Sequence, residues 1–313
     1  MEKFATNTFF KDLESKNQFL YTKKGVSVFI KREDTLDIHV SGNKYRKLKY
    51  NIKQALDNNQ KTILTFGGAY SNHIAATAYA GKVHQLKTIG IIRGEELANK
   101  LALTLATNTT LSFAKKCGME LHFITRENYR EKEKQVFIEA LKQDFGDFYL
   151  VPEGGTNELA VKGCEEILTK EDDKFDYICL AVGTGGTIAG IINSTNDAQK
   201  VIGFSALKGD FLKDDVAKLI NDKTNWEINT DYHFGGYAKV DELLIKHVNF
   251  MKKEYNIALE PIYTGKMSYG IDKLIAQNYF KPNTNILMIH TGGLQGIEAM
   301  NQKLIKKNKE IIR

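Results

Sequence analysis

The segment Tyr177–Thr187 reads YICLAVGTGGT, an apolar run followed directly by a glycine-rich turn. The run Tyr177–Val182 predicts a buried strand, and the apolar residues from Ile188 onward predict a helix that begins next to the glycines. The same alternation recurs along the chain, with further strands predicted at Thr62–Phe66, Thr88–Ile92, Leu121–Thr125, Phe148–Val151, Val201–Leu207 and Asn285–His290. Helical periodicity follows several of these runs, as at His73–Lys82 and Leu97–Lys116. Repetition of strand, glycine turn and helix predicts an α/β fold with mostly parallel sheet.

The length and composition of the chain indicate a globular protein. At roughly 150 residues per domain, a chain of 313 residues suggests about two domains. Hydrophobic residues make up 42% and charged residues 26%, which excludes wholesale disorder. The net charge of +6 comes from basic residues scattered among acids, so no nucleic-acid partner is predicted.

Targeting and redox features favour a cytoplasmic protein. The N-terminal sequence MEKFATNTFFKDLESK has no basic segment followed by an apolar core, so no signal peptide is expected. The longest uncharged stretch, which ends at Asp197, is rich in glycine and hydroxyl residues, so no membrane partner is predicted. The three cysteines, Cys117, Cys164 and Cys179, have no metal-ligand spacing. We therefore predict no disulfide scaffold, no metal site and a reducing compartment.

Glycine-rich turns after strands mark the candidate ligand sites, because ligands of open α/β sheets bind at the carboxyl ends of the strands. The strongest consists of Gly183, Thr184, Gly185, Gly186 and Thr187. Exposed backbone N–H groups and the dipole of the following helix would hold a phosphate there. The spacing is neither GxGxxG nor a P-loop. A tight turn without a ligand is the alternative reading.

Two further turns have the same form. Ser71 and Asn72, which follow Gly67-Gly68, are good helix caps, and capping alone would explain them. Together with His73, however, they would also form a carboxylate-binding pocket at the helix N-terminus. The turn His290-Thr291-Gly292-Gly293 closes the last apolar run, and a simple turn is again the alternative.

One lysine stands out in the segment SGNKYRKLKY, residues 41–50. Helical spacing predicts Asn43 as the N-cap and Lys44 as the first residue inside the helix. The helix dipole is unfavourable for a cation at that end, so the pKa of Lys44 should be depressed, as an imine-forming lysine requires. Lys47 and Lys49 are predicted to be solvated, and a solvated Lys44 is the alternative for that residue too.

Five segments of the chain resemble, in their order, the motifs of pyridoxal-phosphate enzymes of the tryptophan-synthase-β fold type. These segments are SGNKxRKL, GGxxSNH, GTGGT, PIYTGK and HTGG. Within that type the chain resembles the group of D-cysteine desulfhydrases and 1-aminocyclopropane-1-carboxylate (ACC) deaminases. The resemblance spans Ser41 to Gly293. It implies two α/β domains, each with an open, mostly parallel sheet (fold type II), and the cofactor in the cleft between them. The larger, cofactor-binding domain would comprise residues 1–45 and 153–313, and the smaller one residues 46–152.

The resemblance also implies roles for individual residues. Lys44 would bind pyridoxal 5'-phosphate covalently, and Gly183–Thr187 would hold its phosphate. Asn72 would contact the phenolic oxygen of the cofactor and the substrate. Ser71 and His73 would face the substrate carboxylate, with Ser71 also taking part in catalysis.

Two tyrosines and two threonines complete the implied site. Tyr263 would stack on the pyridine ring, and Tyr237 would point into the substrate site. Thr264 and Thr291 would lie at the ring nitrogen and its surroundings. The acceptor of the Cα proton would be Lys44, Tyr263 or Tyr237.

The two threonines also bear on the reaction. ACC deaminases have a glutamate and a leucine at these positions, whereas the desulfhydrases have threonines, as this chain does. A hydroxyl keeps the ring nitrogen less protonated than a carboxylate would, and elimination of sulfide demands less electron withdrawal than opening a cyclopropane. Ala69, Tyr70 and Ala75 depart from the residues that relatives usually have.

The resulting hypothesis is a cytoplasmic, homodimeric lyase of amino-acid metabolism. It would catalyse β-elimination on a small D-amino acid, with D-cysteine giving pyruvate, sulfide and ammonia. ACC deamination is the alternative within the family. A non-catalytic α/β binding protein is the alternative from a different class.

Overall fold

In a computed structural model of the protein, residues 9–313 are described. Residues 1–8, which the predicted larger domain includes, lie outside the described part. The chain divides into two compact units, each with its own sheet. One unit comprises residues 15–47 and 156–313, and the other contains residues 9–14 and 48–155.

The strands are β1 (Asn17–Lys23), β2 (Val26–Lys31), β3 (Thr62–Gly68), β4 (Lys87–Arg93), β5 (Glu120–Ile124), β6 (Tyr149–Val151), β7 (Tyr177–Val182), β8 (Lys200–Ser205), β9 (Trp226–Asn229) and β10 (Asn285–Ile289). The helices are α1 (Asn43–Asp57), α2 (Asn72–Val83), α3 (Leu101–Thr107), α4 (Thr109–Lys116), α5 (Arg126–Arg130), α6 (Gln135–Phe145), α7 (Glu158–Glu165), α8 (Gly186–Ser194), α9 (Leu212–Ala217), α10 (Glu242–Tyr255), α11 (Thr264–Ala276) and α12 (Gly296–Ile305). Short 3₁₀ helices occupy Glu33–Thr35, Glu95–Lys100, Glu153–Gly155 and Lys170–Lys174.

The larger unit contains a six-stranded sheet in the order β1-β2-β10-β7-β8-β9. Every pairing in it is parallel except that of β1 with β2. The central strands are buried along almost their whole length, as expected for a parallel sheet covered on both faces. The carboxyl end of β7 therefore leads straight into the glycine turn and α8, which positions the candidate site.

The smaller unit contains a four-stranded sheet in the order β5-β4-β3-β6, and all its pairings are parallel. Two apolar clusters pack against it, one around Phe66 and Tyr129 and one around Ile74 and Leu111. With both sheets mostly parallel, the predicted α/β class is confirmed.

Some elements differ from the sequence-based expectation. The β1–β2 hairpin and the short strand β9 were not predicted. The hairpin turns through Lys24 and Gly25, which both have positive φ, at 52° and 76°. The helix predicted over Leu97–Lys116 is broken at Asn108, whose side-chain oxygen accepts a hydrogen bond from the N–H of Leu111 and so starts α4 afresh.

Within residues 9–313, no helix is long and apolar enough to cross a membrane.

Candidate active site

Lys44 lies in the first turn of α1, in the larger unit. The helix begins at Asn43, one residue earlier than expected. The Asn43 amide links two candidate groups, because its oxygen accepts from Lys44 Nζ (3.0 Å) and its nitrogen donates to Thr187 Oγ1 (2.8 Å). The structure therefore brings Lys44 to the glycine turn, as the motif order implied.

The amine of Lys44 is tuned toward its neutral form. Burial lowers its pKa to about 7, and the nearby charge of Lys47 acts in the same direction, whereas Cys164 and Glu260 oppose the shift. Burial, rather than the helix dipole considered above, is the main cause. Above pH 7 the amine is mostly unprotonated and can act as a nucleophile.

The glycine turn presents bare backbone at the start of α8. Gly185 has a φ of +84°, a conformation that side chains rarely adopt. A Cβ on Gly186 would lie 2.9 Å from Thr156 Cγ2 and 3.2 Å from Lys47 Nζ, so those groups enclose the turn closely. Free N–H groups at a helix start, unshielded by side chains, favour an anion.

Lys47 is not solvated, and that prediction was wrong. Its side chain is buried, and Nζ donates to Thr156 Oγ1 (2.9 Å). The Thr156 hydroxyl in turn lies 2.6 Å from Thr184 Oγ1 in the glycine turn. Burial lowers the pKa of Lys47 to about 8. Lys47 is therefore a candidate functional group that the sequence did not indicate, although its position three residues after Lys44 puts both on one helix face.

Two tyrosines lie beside the same turn. A Cβ on Gly183 would approach Tyr263 Cε1 to 3.0 Å, so the tyrosine ring packs directly over this glycine. The ring of Tyr237 meets that of Tyr263 edge to face, with centroids 6.2 Å apart. Tyr237 is 47% exposed, so part of its ring remains available for contact.

Glu260 anchors the turn that carries Tyr263 and Thr264, and sequence reasoning missed this residue too. Its buried carboxylate accepts from the backbone N–H groups of Ile262 (2.7 Å), Tyr263 (2.9 Å) and Thr264 (2.6 Å). Burial raises the pKa of this carboxyl, and those hydrogen bonds oppose the rise. The acidic residue thus satisfies the free N–H groups at the start of α11.

The hydroxyl of Thr264 is used within this same turn. It donates to Glu260 Oε1 (3.1 Å) and accepts from the Glu260 N–H (3.2 Å). Thr264 is fully buried. Its hydroxyl is therefore committed to the local structure.

The turn after β10 is held by a buried histidine. His290 Nδ1 accepts from the Gly292 N–H (3.2 Å), so Nε2 carries the hydrogen and donates to the carbonyl of Ala258 (2.7 Å). Burial lowers the pKa of His290, which favours this neutral form, although Asp34 opposes the shift. The Thr291 carbonyl accepts from the Asn43 N–H (3.3 Å), so this turn lies against the start of α1.

Ser71, Asn72 and His73 lie together in the smaller unit, at the start of α2. Ser71 is the N-cap, and its hydroxyl accepts from the Ile74 N–H (3.4 Å). The Asn72 side-chain oxygen is buried and has no hydrogen-bond partner within residues 9–313. His73 is buried, and its Nε2 lies 2.8 Å from Thr65 Oγ1. Because the Thr65 hydroxyl donates to the Val151 carbonyl (2.8 Å), His73 Nε2 is the donor in that contact.

These groups fit pyridoxal 5'-phosphate. The larger unit supplies a neutral amine at Lys44 and a glycine turn with a buried cation, which suit an aldehyde and a phosphate respectively. In the smaller unit, the side-chain oxygen of Asn72 is buried and has no hydrogen-bond partner among the described residues, so it can accept from a polar ligand group.

The fold and these groups define an enzyme that depends on pyridoxal phosphate, and the chain belongs to that family. Residues 15–292 match the family described as pyridoxal-phosphate dependent enzyme. The cofactor is therefore pyridoxal 5'-phosphate, and the family resemblance read from the motifs is confirmed.

The relatives place the chain more narrowly in the ACC deaminase and D-cysteine desulfhydrase group of lyases. It is 33% identical over 298 residues to a mitochondrial bifunctional D-cysteine desulfhydrase/ACC deaminase of Arabidopsis thaliana, covering 87% of this chain and 74% of that protein. It is 31% identical over 299 residues to a candidate ACC deaminase of Pyrococcus horikoshii, covering 90% and 89%.

Solved structures agree with this placement. The crystal structure of an ACC deaminase homologue has a TM-score of 0.80 at 29% identity and covers 94% of both chains. A pyridoxal 5'-phosphate-dependent aspartate racemase has a TM-score of 0.65 and covers 90% of both chains. At 17% identity the racemase shows the shared fold alone.

Proposed function

We propose that this enzyme catalyses β-elimination on a small D-amino acid, with D-cysteine as the substrate. In the overall reaction, D-cysteine and water give pyruvate, hydrogen sulfide and ammonia. The observation that carries the proposal is the lowered pKa of Lys44 together with its position. Its amine is hydrogen-bonded to Asn43, which in turn contacts the glycine turn, and a second buried lysine, Lys47, lies beside that turn.

In this proposal, some residues bind the cofactor and the substrate, and others accept a proton. Bound pyridoxal phosphate supplies electron withdrawal from the substrate Cα. Gly183–Thr187 and Lys47 hold the phosphate through backbone N–H groups and one buried charge. Lys44 would hold the cofactor aldehyde, and with a pKa of about 7 its amine would also be able to accept the Cα proton near neutral pH.

The substrate is bound, in this proposal, by the start of α2. Ser71 and the positive end of the α2 helix dipole suit a carboxylate. Asn72 contributes its unpartnered amide to the cofactor and substrate. Because His73 is buried against Thr65, we assign it the role of fixing this turn rather than direct contact with the carboxylate.

Two tyrosines remain as alternative proton acceptors. Tyr263 lies over Gly183, and Tyr237 meets its ring at the same place. Either hydroxyl is a possible acceptor of the Cα proton in place of Lys44.

Hydroxyl rather than carboxylate groups near the ring nitrogen favour desulfhydration. Thr291 stands where ACC deaminases have leucine, and Thr264 stands where they have glutamate. The Thr264 hydroxyl donates a hydrogen bond to the buried carboxyl group of Glu260 (3.1 Å). ACC deamination is the second candidate, and the names of the Pyrococcus horikoshii and Arabidopsis thaliana relatives favour it.

Product release from a substrate panel tests the proposal. The purified holoenzyme is incubated with D-cysteine, L-cysteine, β-chloro-D-alanine, D-serine and ACC, and pyruvate is measured, with sulfide measured for the cysteines. We expect the highest kcat/KM with D-cysteine and no turnover by Lys44→Ala. Pyruvate would not form from ACC, because ring opening gives a four-carbon oxoacid, so ammonia release is measured in parallel. Higher kcat/KM with ACC than with D-cysteine would replace this proposal by the deaminase.

We also propose that the enzyme is a cytoplasmic homodimer, as the family resemblance implies. Light scattering of the purified protein tests the oligomeric state, and a monomer mass near 35.4 kDa would contradict it.

A further inference from the structure

Lys266 is a buried lysine that the reaction described above does not use. It lies on α11 in the segment PIYTGK, and its side chain is 1% exposed. Its Nζ donates to the backbone carbonyls of His233 (2.8 Å) and Gly236 (2.8 Å) and lies 3.5 Å from that of Ala206. An ammonium has three donors, and here all three face backbone carbonyls.

The segment held by Lys266 has a strained backbone. Phe234, Gly235, Gly236 and Ala238 all have positive φ, at 55°, 89°, 107° and 55°. Positive φ is costly for phenylalanine and alanine, and such conformations persist only where surrounding contacts enforce them.

The side chain of His233 supplies a second restraint. Its Nδ1 accepts from the Gly235 N–H (2.8 Å), and the His233 carbonyl accepts from the Gly236 N–H (2.9 Å). These bonds lie inside the segment, so they shape it without fixing it to the rest of the unit. Lys266 is the group that ties the carbonyls of this segment to α11.

The strained segment carries Tyr237 between Gly236 and Ala238. Tyr237 meets the ring of Tyr263, which lies three residues before Lys266 in the chain. The start of α11 therefore supports both partners of this aromatic pair, one directly and one through the lysine.

We propose that Lys266 is a positioning residue, which holds the segment His233–Ala238 so that Tyr237 lies against Tyr263. This inference rests on the proposed function, because the tyrosines are assigned to the substrate site there. Lys266 acts through Tyr237, because its hydrogen bonds restrict the backbone freedom that a glycine-rich segment would otherwise have.

Hydrogen exchange and kinetics of Lys266→Met test the proposal. Loss of bonds from a charged donor should speed amide exchange in a peptide covering residues 233–239 by roughly tenfold or more. The kcat/KM for D-cysteine should fall by roughly tenfold or more, because Tyr237 is displaced. The near-visible absorbance of the bound cofactor should stay unchanged. Lys253→Met is the matched control, since that lysine lies on α10 and is 83% exposed.

A double-mutant cycle separates positioning from general stability. In a Tyr237→Ala background, Lys266→Met should cost little further activity, because the residue it positions is gone. Equal losses in both backgrounds would overturn the proposal, and so would unchanged exchange in the 233–239 peptide of the folded variant. If Lys266→Met does not fold, Lys266→Gln, which keeps two donors, is judged by the same two criteria.

These readouts distinguish the inference from the proposed function. If the wild-type enzyme does not act on D-cysteine, the proposed function fails, and the cycle is measured on whichever panel substrate is turned over. The hydrogen-exchange experiment needs no substrate. In either case it shows whether Lys266 restrains the segment His233–Ala238.

Discussion

Lys47 provides the sharpest test of the cofactor site. In Lys47→Met the side chain keeps its length and loses its charge. The Thr156 hydroxyl loses its lysine donor but keeps Thr184 as a partner, so no buried hydroxyl is left unpaired. We expect the variant to fold and to bind pyridoxal phosphate more weakly, because the cation beside Gly186 is gone.

The magnitude follows from the position of the ammonium. Lys47 Nζ lies 3.2 Å from the point where a Cβ of Gly186 would be, within reach of an anion held by that backbone. A hydrogen bond to a charged group contributes about 1.5–3 kcal/mol. At about 1.4 kcal/mol per factor of ten, its loss should raise the Kd of the cofactor roughly 10- to 150-fold.

The assay is titration of the apo protein with pyridoxal phosphate, followed by near-visible absorbance. Lys53→Met is the matched control, because Lys53 lies on the same helix, α1, and is 66% exposed. Its Kd should equal that of the wild type. A folded Lys47→Met protein with an unchanged Kd would refute the reasoning, because the phosphate could not then lie beside this lysine.

Three further predictions concern other groups of the site. Since burial lowers the pKa of Lys44 to about 7, the rate of cofactor incorporation into apo protein should rise with pH and level off above about pH 7, and a continued rise to pH 10 would contradict this. Gly185→Val should weaken cofactor binding, because its φ is +84° and a Cβ there lies 3.1 Å from Val216 Cγ2, whereas an unchanged Kd with an intact fold would make the loop only a turn. Glu260→Gln should lower the free energy of unfolding in urea by about 1–3 kcal/mol, because a buried charged acceptor for several N–H groups is lost. Glu254→Gln, at an exposed position, should change it by less than about 0.5 kcal/mol.

Local pattern was sufficient to predict most of the parallel strands. Tyr177–Val182 matches β7 residue for residue, because a continuous apolar run ended by glycine has few other interpretations in a chain of alternating elements. The β1–β2 hairpin was missed because its two-residue turn, Lys24-Gly25, is not one of the Asn-Gly or Asp-Gly pairs that signal such a turn. Strand β9 is only four residues long and too short for periodicity to identify.

Lys44 could be singled out from the sequence, whereas the burial of two other lysines could not. Lys44 stands out because a cation at a helix start is locally unfavourable. Lys47 and Lys266 look like ordinary surface lysines in the sequence. Their burial depends on partners far along the chain, namely Thr156 for Lys47 and the carbonyls near His233 for Lys266. Contacts of this kind follow from the fold rather than from neighbouring residues.

The measurement that tests the central claim most directly is the identity of the lysine that carries the cofactor. The holoenzyme is reduced with borohydride, which makes the link between cofactor and protein permanent, and is then digested and mapped by mass spectrometry. The geometry at the start of α1 predicts the label on Lys44 alone. Label on Lys47 or Lys266 would contradict the account, since the proposed role of each requires an ammonium that is not linked to the cofactor.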